Sequence, residues 1–375
     1  MEYSILRAFV NRPGVVYDAL KTTVIFAEDM NKLKDNDAYL YNNQNAILNS
    51  SISLYRQAII NGNFDVWQRG TSFASIGSGS AYSADRWNYF RGGYVTQGTY
   101  SRVASGIDGV KYAMRIQRDS GTPSTQQLYI AQSLESVNSV PFQGKIVTLS
   151  FRARAGVNFS SISASLFVEL FTGTGTDENI NGITGALAPI SSIATLTTTW
   201  QTFTYTGTIS ATANQLFVRL NNVPVGTAGA NDYYEIAQVQ LNLGSVAFPF
   251  QPKFYAEELI NCQRYYQRFN SDSAYATMLP ALNTPSSIQS SGARSLLVSM
   301  RIPPIAMDNS VPSTFDLSDG VTTFRCTSIT YANIQSTKDI VFMNFIVASG
   351  LTVFRNYRAE ANNTANAYIG FTAEL

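Results

Sequence analysis

Two short stretches hold the side chains best suited to chemistry. "AIINGNFDVWQRGTSF" spans residues 58–73, and "YSADRW" spans 82–87. Between them they carry Asp65 with Arg69, Asp85 beside Arg86, and the tryptophans Trp67 and Trp87. Two carboxylates facing each other across a cleft, ~5–10 Å apart, would be glycosidase chemistry. Tryptophan rings would be platforms for the apolar faces of sugars. Each feature has a plainer counterpart. Aspartates in turns satisfy backbone donors, and a neighbouring arginine pairs locally. A lone tryptophan in a β-sandwich is more often packing than platform. For the two acids the plainer reading is favoured, and Trp67 and Trp87 are carried as candidate glycan or partner contacts.

The rest of the composition narrows the chemistry. The 375 residues include no histidine. Ser–His–Asp and Cys–His catalysis are therefore excluded, as is any His-ligated zinc site. Two cysteines, Cys262 and Cys326, cannot supply four thiolates. They are expected as free core thiols in a chain made in a cytoplasm. No phosphate-binding glycine loop or dinucleotide fingerprint follows a strand. No cofactor, metal or catalytic residue is assigned. Formal net charge is +1 and no basic cluster occurs, so nucleic acid is not an expected partner. The longest apolar runs fall well short of a membrane span, and "MEYSILRAFV" does not read as a secretory signal.

The elements that must position these residues come from patterning. Charged residues are only 14% of the chain, with Ser, Thr, Asn and Gln carrying the polarity. That balance suits exposed strand faces. In "KIVTLSFRARA", Val147, Leu149, Phe151, Ala153 and Ala155 alternate with polar residues. In "ISASLFVEL", Ile162, Ala164, Leu166, Val168 and Leu170 form one face. "WQTFTYTGTI" and "QVQLNL" repeat the alternation. Period-two runs without helical spacers predict an antiparallel jelly-roll sandwich over residues 58–252.

Other segments frame that domain. From Phe26 a 4-3 apolar ladder runs through Met30, Leu33, Leu40, Ile47 and Leu54, with Asp37, Gln44 and Ser51 in the same seam. It fits a helix burying a seam against copies of itself, or a single amphipathic helix packed on its own domain. The stretch "NRPGVVYDALKTTV" before it is expected as an extended arm. Residues 253–270 are expected as a connecting helix of about four turns. Tyr255, Leu259, Cys262, Tyr266 and Phe269 share its stripe, with Glu257 and Glu258 in the first turn. Residues 271–375 are expected as a sandwich-like β-domain. Its strands include "SLLVSMR", "KDIVFMNFIV" buried on both sides, and "AYIGFTAEL" running to Leu375.

The pair of stretches "INGNFDVWQRGTSF…YSADRW" and "VQLNLGSVAFPFQPKFYAEELINCQRYYQRF" resembles bacteriophage and prophage tail fibre and appendage proteins, as does the closing "YIGFTAEL". The resemblance covers roughly 58–375. It implies a jelly roll similar to carbohydrate-binding modules, a homotrimer or other multimer, and a place on the virion after assembly in the bacterial host. Residues 1–57 would then hold other virion proteins, and a host-surface glycan would be the ligand. Carbohydrate-binding modules of this kind often share a structural calcium between an Asn–Gly–x–Phe–Asp opening and an acid on the closing strand. Asn61 to Asp65 match the opening, but Ala237 and Gln238 stand where the acid is expected, which disfavours calcium.

The loops 172–185 and 223–232 are long, small and polar. Asp177, Asn179 and Asn231 on them are therefore candidate glycan or partner contacts. The expected function is a non-enzymatic, structural appendage subunit that attaches to host glycan. The alternatives are a carboxylate-based glycan depolymerase and an architectural baseplate or head-fibre component without its own receptor.

Overall fold

A computed structural model describes residues 15–18, 23–26, 35–36, 54–74, 79–91 and 98–375. The chain divides into two compact units, Met1–Arg56 and Gln57–Leu375.

In the first unit, β1 (Val15–Asp18) and β2 (Thr23–Phe26) form an antiparallel hairpin with Val15 opposite Phe26. Phe26 thus ends a strand and does not begin a helix. The run Thr23-Val24-Ile25 is β-branched throughout and favours a strand locally. The expected extended arm is likewise folded back on itself. Asp35 and Asn36 are helical and exposed, whereas Leu54 lies in a turn. Both ends of the apolar ladder are therefore non-helical. Met30, Leu33, Leu40 and Ile47 lie outside the described residues.

The second unit opens with twelve strands. They are β3 (Ser72–Ala74), β4 (Gly79–Tyr82), β5 (Asn88–Arg91), β6 (Gly98–Ile107), β7 (Val110–Arg118) and β8 (Leu128–Ser133), then β9 (Ile146–Ala155), β10 (Ser165–Gly173), β11 (Leu187–Thr195), β12 (Gln201–Thr208), β13 (Gln215–Asn222) and β14 (Tyr233–Leu243). A one-turn helix, α1 (Ser136–Ser139), lies between β8 and β9. Two antiparallel sheets result, ordered β11-β10-β13-β8-β5-β4 and β12-β9-β14-β7-β6-β3. Successive strands switch repeatedly between sheets, the jelly-roll pattern.

The alternation seen in sequence builds the space between the sheets. Val147, Leu149 and Ala153 on β9 are fully buried, and so are Leu166, Val168 and Leu170 on β10. Val239 and Leu241 do the same on β14. Each such valine or leucine contributes ~1.5–3 kcal/mol on leaving water. Two predicted inward residues fail: Ile162 is 65% exposed and Ala164 is only half-buried. Ser163 and Ala164 take positive φ, so β10 starts only at Ser165. β12 is an edge strand, where Phe203 and Tyr205 pack half-buried on Phe151 at 5.5 and 6.4 Å.

The remainder is also β. After α2 (Tyr255–Gln263) come β15 (Tyr266–Asn270), β16 (Thr277–Ser286), β17 (Gln289–Ser295), β18 (Ala306–Asn309), β19 (Phe315–Ser318), β20 (Thr323–Tyr331), β21 (Ile340–Val347), β22 (Tyr357–Ala361) and β23 (Tyr368–Thr372). Six of them close a barrel, β16-β17-β21-β20-β19-β22, and a three-stranded sheet β15-β23-β18 accompanies it. The mainly β class holds throughout.

Details differ from the sequence reading. The predicted four-turn helix stops at Gln263. Tyr266 and Phe269 are strand residues paired with Thr372 and Ile369 of β23, because the aromatic-rich "YQRFN" finds a β partner in the fold. "SLLVSMR" is mostly irregular; the strand is the preceding "QSSGARS". β21 is not buried on both sides: Val341, Met343, Phe345 and Val347 face the barrel core, and Ile340 is 42% exposed. A barrel gives each strand one inner and one outer face. β23 ends at Thr372, and Ala373, Glu374 and Leu375 follow as buried, irregular backbone.

Among the described residues, no helix is long and apolar enough to cross a membrane. Cys262 and Cys326 are free and buried.

Candidate functional site

The opening motif folds as a knot of turns. Asn61 takes a positive φ of 55°. Its amide accepts from Val66 N and donates to Val66 O and Asp85 O at 2.8–3.0 Å. Gly62 lies against β14, where Val239 N donates to Gly62 O at 2.8 Å. A Cβ on Gly62 would stand 2.1 Å from Val239 O, so only glycine fits this approach. The opening motif and the closing strand do meet, at a bulge where Gln238 has φ 56°. Among the described residues, no group of three or more His, Cys, Asp or Glu could hold a metal.

The tryptophans are packed inside this knot. Trp87 is fully buried, its Nε1 donates to Asn61 O at 2.9 Å, and its ring lies 5.1 Å from Phe64. Trp67 is 8% exposed and donates to Phe64 O at 2.7 Å. Neither ring has a face to offer a sugar, which corrects their candidacy as glycan contacts. Asp65 accepts from Asn63 Nδ2 at 3.0 Å, and burial raises its pKa.

The charged pairs reach across the molecule. Asp85 accepts from Gln68 N at 3.0 Å and from Gln68 Nε2 at 2.5 Å. Arg69 stands between two acids, 3.8 Å from Asp85 and 3.3 Å from Glu374. Arg86 pairs with Glu374 directly and donates to Ser133 O at 2.6 Å. Local pairing was the sequence expectation for both arginines; Glu374 lies 288 residues from Arg86. Two tyrosines supply ring faces: Tyr265 lies 3.5 Å from the Arg86 guanidinium carbon, and Tyr266 3.6 Å from that of Arg69. Gln68 Nε2 also donates to Tyr266 O, and Asn61 N donates to Glu258 Oε1 of α2 at 2.7 Å. Tyr82 donates to Leu375 O at 2.7 Å.

Burial governs the titration of this clasp. Desolvation pushes Asp85 up to about 6, against the pull of Arg69 and the Gln68 donors. It likewise pushes Tyr265 up to about 12. The side chains of Asp85 and Glu374 are 1% and 4% exposed. The carboxylates are thus internal partners that fasten the opening motif to the last residues of the sequence.

The loop candidates are also largely committed within the chain. Asp177 Oδ1 accepts from Ser136 N at 2.8 Å, and Oδ2 accepts from Arg301 at 3.2 Å. Asn179 caps a 3₁₀ turn by accepting from Asn181 N, and its Nδ2 donates to Leu375 O. Loop 172–185 is therefore a fastened bridge instead of a free tip. In loop 223–232, Asp232 is buried and accepts from Arg118 at 2.8 Å, and Arg118 also donates to Gly226 O. Asn231 alone of the three keeps an exposed side chain.

A second aromatic cluster lies elsewhere on the jelly roll. It occupies the outer face of the sheet β11-β10-β13-β8-β5-β4, opposite the core positions. Phe90 and Tyr129 stack at 5.0 Å with an 11° interplanar angle. Arg219 lies 5.4 Å from the Tyr129 ring and 4.8 Å from that of Phe171. The same Arg219 holds Glu169 bidentately at 2.5 and 2.9 Å. Tyr129 is only 3% exposed, packed with Phe217 and with Ile180 of loop 172–185, whereas Phe90, Phe167 and Phe171 are half-buried. Tyr129 donates to Asn181 Oδ1 at 2.7 Å, and burial pushes its phenol up to about 12. Rings beside a fixed ion pair can stack on a sugar and bond its hydroxyls. The signal was present in sequence as Phe167, Glu169 and Phe171, which alternate with the core leucines and valine.

No family model matches this sequence, and no curated protein matches it. Solved structures show a faint likeness. The enzymatically active domain of bacteriophage CBA120 tailspike protein 4 aligns at 12% identity and TM-score 0.33, over 52% of this chain and 22% of that one. A carbohydrate-binding module, TmCBM61, in complex with β-1,4-galactotriose aligns at 9% and 0.30, over 50% and 99%. The CBM22-1 xylan-binding domain of Paenibacillus barcinonensis Xyn10C aligns at 15% and 0.27, over 47% and 94%. At these values the likeness says nothing of activity, and the functional reading rests on the site itself.

Proposed function

We propose that this chain is a structural, non-enzymatic subunit of a phage appendage whose jelly roll binds host-surface glycan. The observation that carries the binding half is the half-buried rings of Phe90 and Phe171 beside the Arg219–Glu169 pair on one sheet face. A sheet is a rigid mount, so the rings and the ion pair are held ready for a ligand. The appendage half is supported by the three stretches that carry the resemblance. They converge in one buried clasp, as parts of a shared scaffold would. Copies of the chain in a homotrimer on the virion would turn weak glycan contacts into firm attachment through effective concentration.

The test is a glycan array probed with the full chain and with Phe90→Ala and Phe171→Ala. Binding should fall about tenfold or more in either variant. An array without hits, alongside normal particle assembly, would leave only the architectural role. New reducing ends on capsular or lipopolysaccharide substrates would overturn the non-enzymatic reading. Mass spectrometry of purified particles tests the virion assignment.

A further inference from the structure

The opposite sheet, β12-β9-β14-β7-β6-β3, has a cavity of its own on its outer face, about 250 Å³ in volume. Ser150 and Arg152 of β9, Thr202 of β12 and Gln238 at the β14 bulge supply its polar lining. Phe248 and Phe250 form an apolar wall. That wall is held in place by the sheet: Gln240 Nε2 donates to Phe248 O at 2.9 Å, and Gln251 N donates to Gln240 Oε1 at 2.9 Å. Asn242 adds bonds to Val246 O and from Phe248 N. The cavity therefore needs no rearrangement to exist.

Arg152 is what sets the cavity apart. Its Nε is buried without a hydrogen-bond partner, as is that of Arg86, but Arg86 is answered at its terminal nitrogens by Glu374 and Ser133 O. Its cross-strand neighbours are Thr202 and Ala237, neither of which can neutralise it. Two residues along the same strand, Arg154 donates to Glu235 at 2.6 Å. Among the described residues, no side-chain hydrogen bond or ion pair ties Ser150, Arg152, Thr202 or Gln238 to the rest of the chain. A guanidinium in this position is answered best by a planar oxyanion, which it can grip bidentately. The hydroxyls and amide around it suit the hydroxyls of a ring that also packs on phenylalanine. The volume, below the ~300 Å³ where ligand pockets usually begin, admits one ring and not a chain.

We propose that this cavity binds the carboxylate of a single acidic sugar residue, with Arg152 as the specificity-determining group. The site lies on the other sheet from the aromatic face, and the two can fail independently. Isothermal titration of the full chain would compare trigalacturonate with neutral galactotriose, and with sodium sulfate as competitor. Trigalacturonate should bind about tenfold or more tightly than the neutral sugar, as expected for one charge-assisted contact. Arg152→Gln should abolish that difference. Gln238→Ala should weaken trigalacturonate binding by a few-fold, and it serves if Arg152→Gln melts early. Equal binding of acidic and neutral sugars, or an unchanged preference in Arg152→Gln, would overturn the proposal. Displacement by equimolar sulfate would reduce the site to a bare anion hole and overturn the sugar assignment.

Discussion

Arg86 and Arg152 belong to the same jelly roll and meet opposite surroundings. Arg86 is 1% exposed, pairs with Glu374, donates to Ser133 O and lies under the Tyr265 ring. Arg152 is half-buried, and among the described residues no acid pairs with it. A buried charge is tolerable only when its donors are answered from within. The chain answers Arg86 with a residue 288 positions away and leaves Arg152 open at a cavity. Both leave their Nε unbonded, but an internal acid marks the first arginine as architecture, and its lack marks the second as a contact for something else.

The largest expected effect breaks the satisfied side. Glu374→Ala leaves Arg86 buried and unpaired and deprives Arg69 of one acid. It should cost ~3–5 kcal/mol, read as a lower urea midpoint at unchanged slope. Gly62→Ala attacks the backbone seat of the same clasp, because its Cβ would meet Val239 O. Its expected cost is ~1–3 kcal/mol in the same titration, as for other overpacked sites.

A smaller effect depends on pH. Asp85 titrates at about 6 in the folded chain, above its ordinary 3.8. The folded state therefore binds this proton more tightly than the unfolded state. Its contribution to stability is present below about 4, is lost as pH rises to about 6, and is flat beyond, with a slope of at most ~1.4 kcal/mol per pH unit. Asp85→Asn should remove that component from a stability–pH profile; an unchanged profile would mean that the carboxylate is not desolvated. Smallest of all, Arg152→Gln should shift stability by no more than ~0.5 kcal/mol, since it breaks no internal bond. A loss as large as that of Glu374→Ala would erase the contrast between the two arginines.

Legibility in the sequence tracked how local each decision was. The strands around Leu149, Val168 and Leu241 announce themselves because an alternating core face needs only period-two spacing. "QSSGARS" gave no such signal. Its Ser290 is buried and Gly292 is pressed by Leu282, so small residues make the barrel contact and leave no hydrophobic pattern. "YQRFN" fitted helical spacing as well as strand spacing, and pairing with β23 decided between them. The Phe167–Glu169–Phe171 row was readable as the outer half of an alternating strand. Its partners Phe90, Tyr129 and Arg219 come from three other strands, so the site as a whole was not.

The sequence alone determined the β class, the inward faces of the jelly-roll strands and the exclusion of histidine chemistry. These follow from backbone geometry and side-chain inventory, which need no knowledge of distant neighbours. It also showed that Ala237 and Gln238 bring no acid to the closing strand. Tertiary structure alone decided which charges are neutralised. It turned the Asp85 and Arg86 cluster into a clasp with Glu374, sealed Trp67 and Trp87 from solvent, and left Arg152 facing a cavity. Desolvation and pairing depend on what chain folding brings within a few ångströms, and residues 288 apart carry no sign of that in their order.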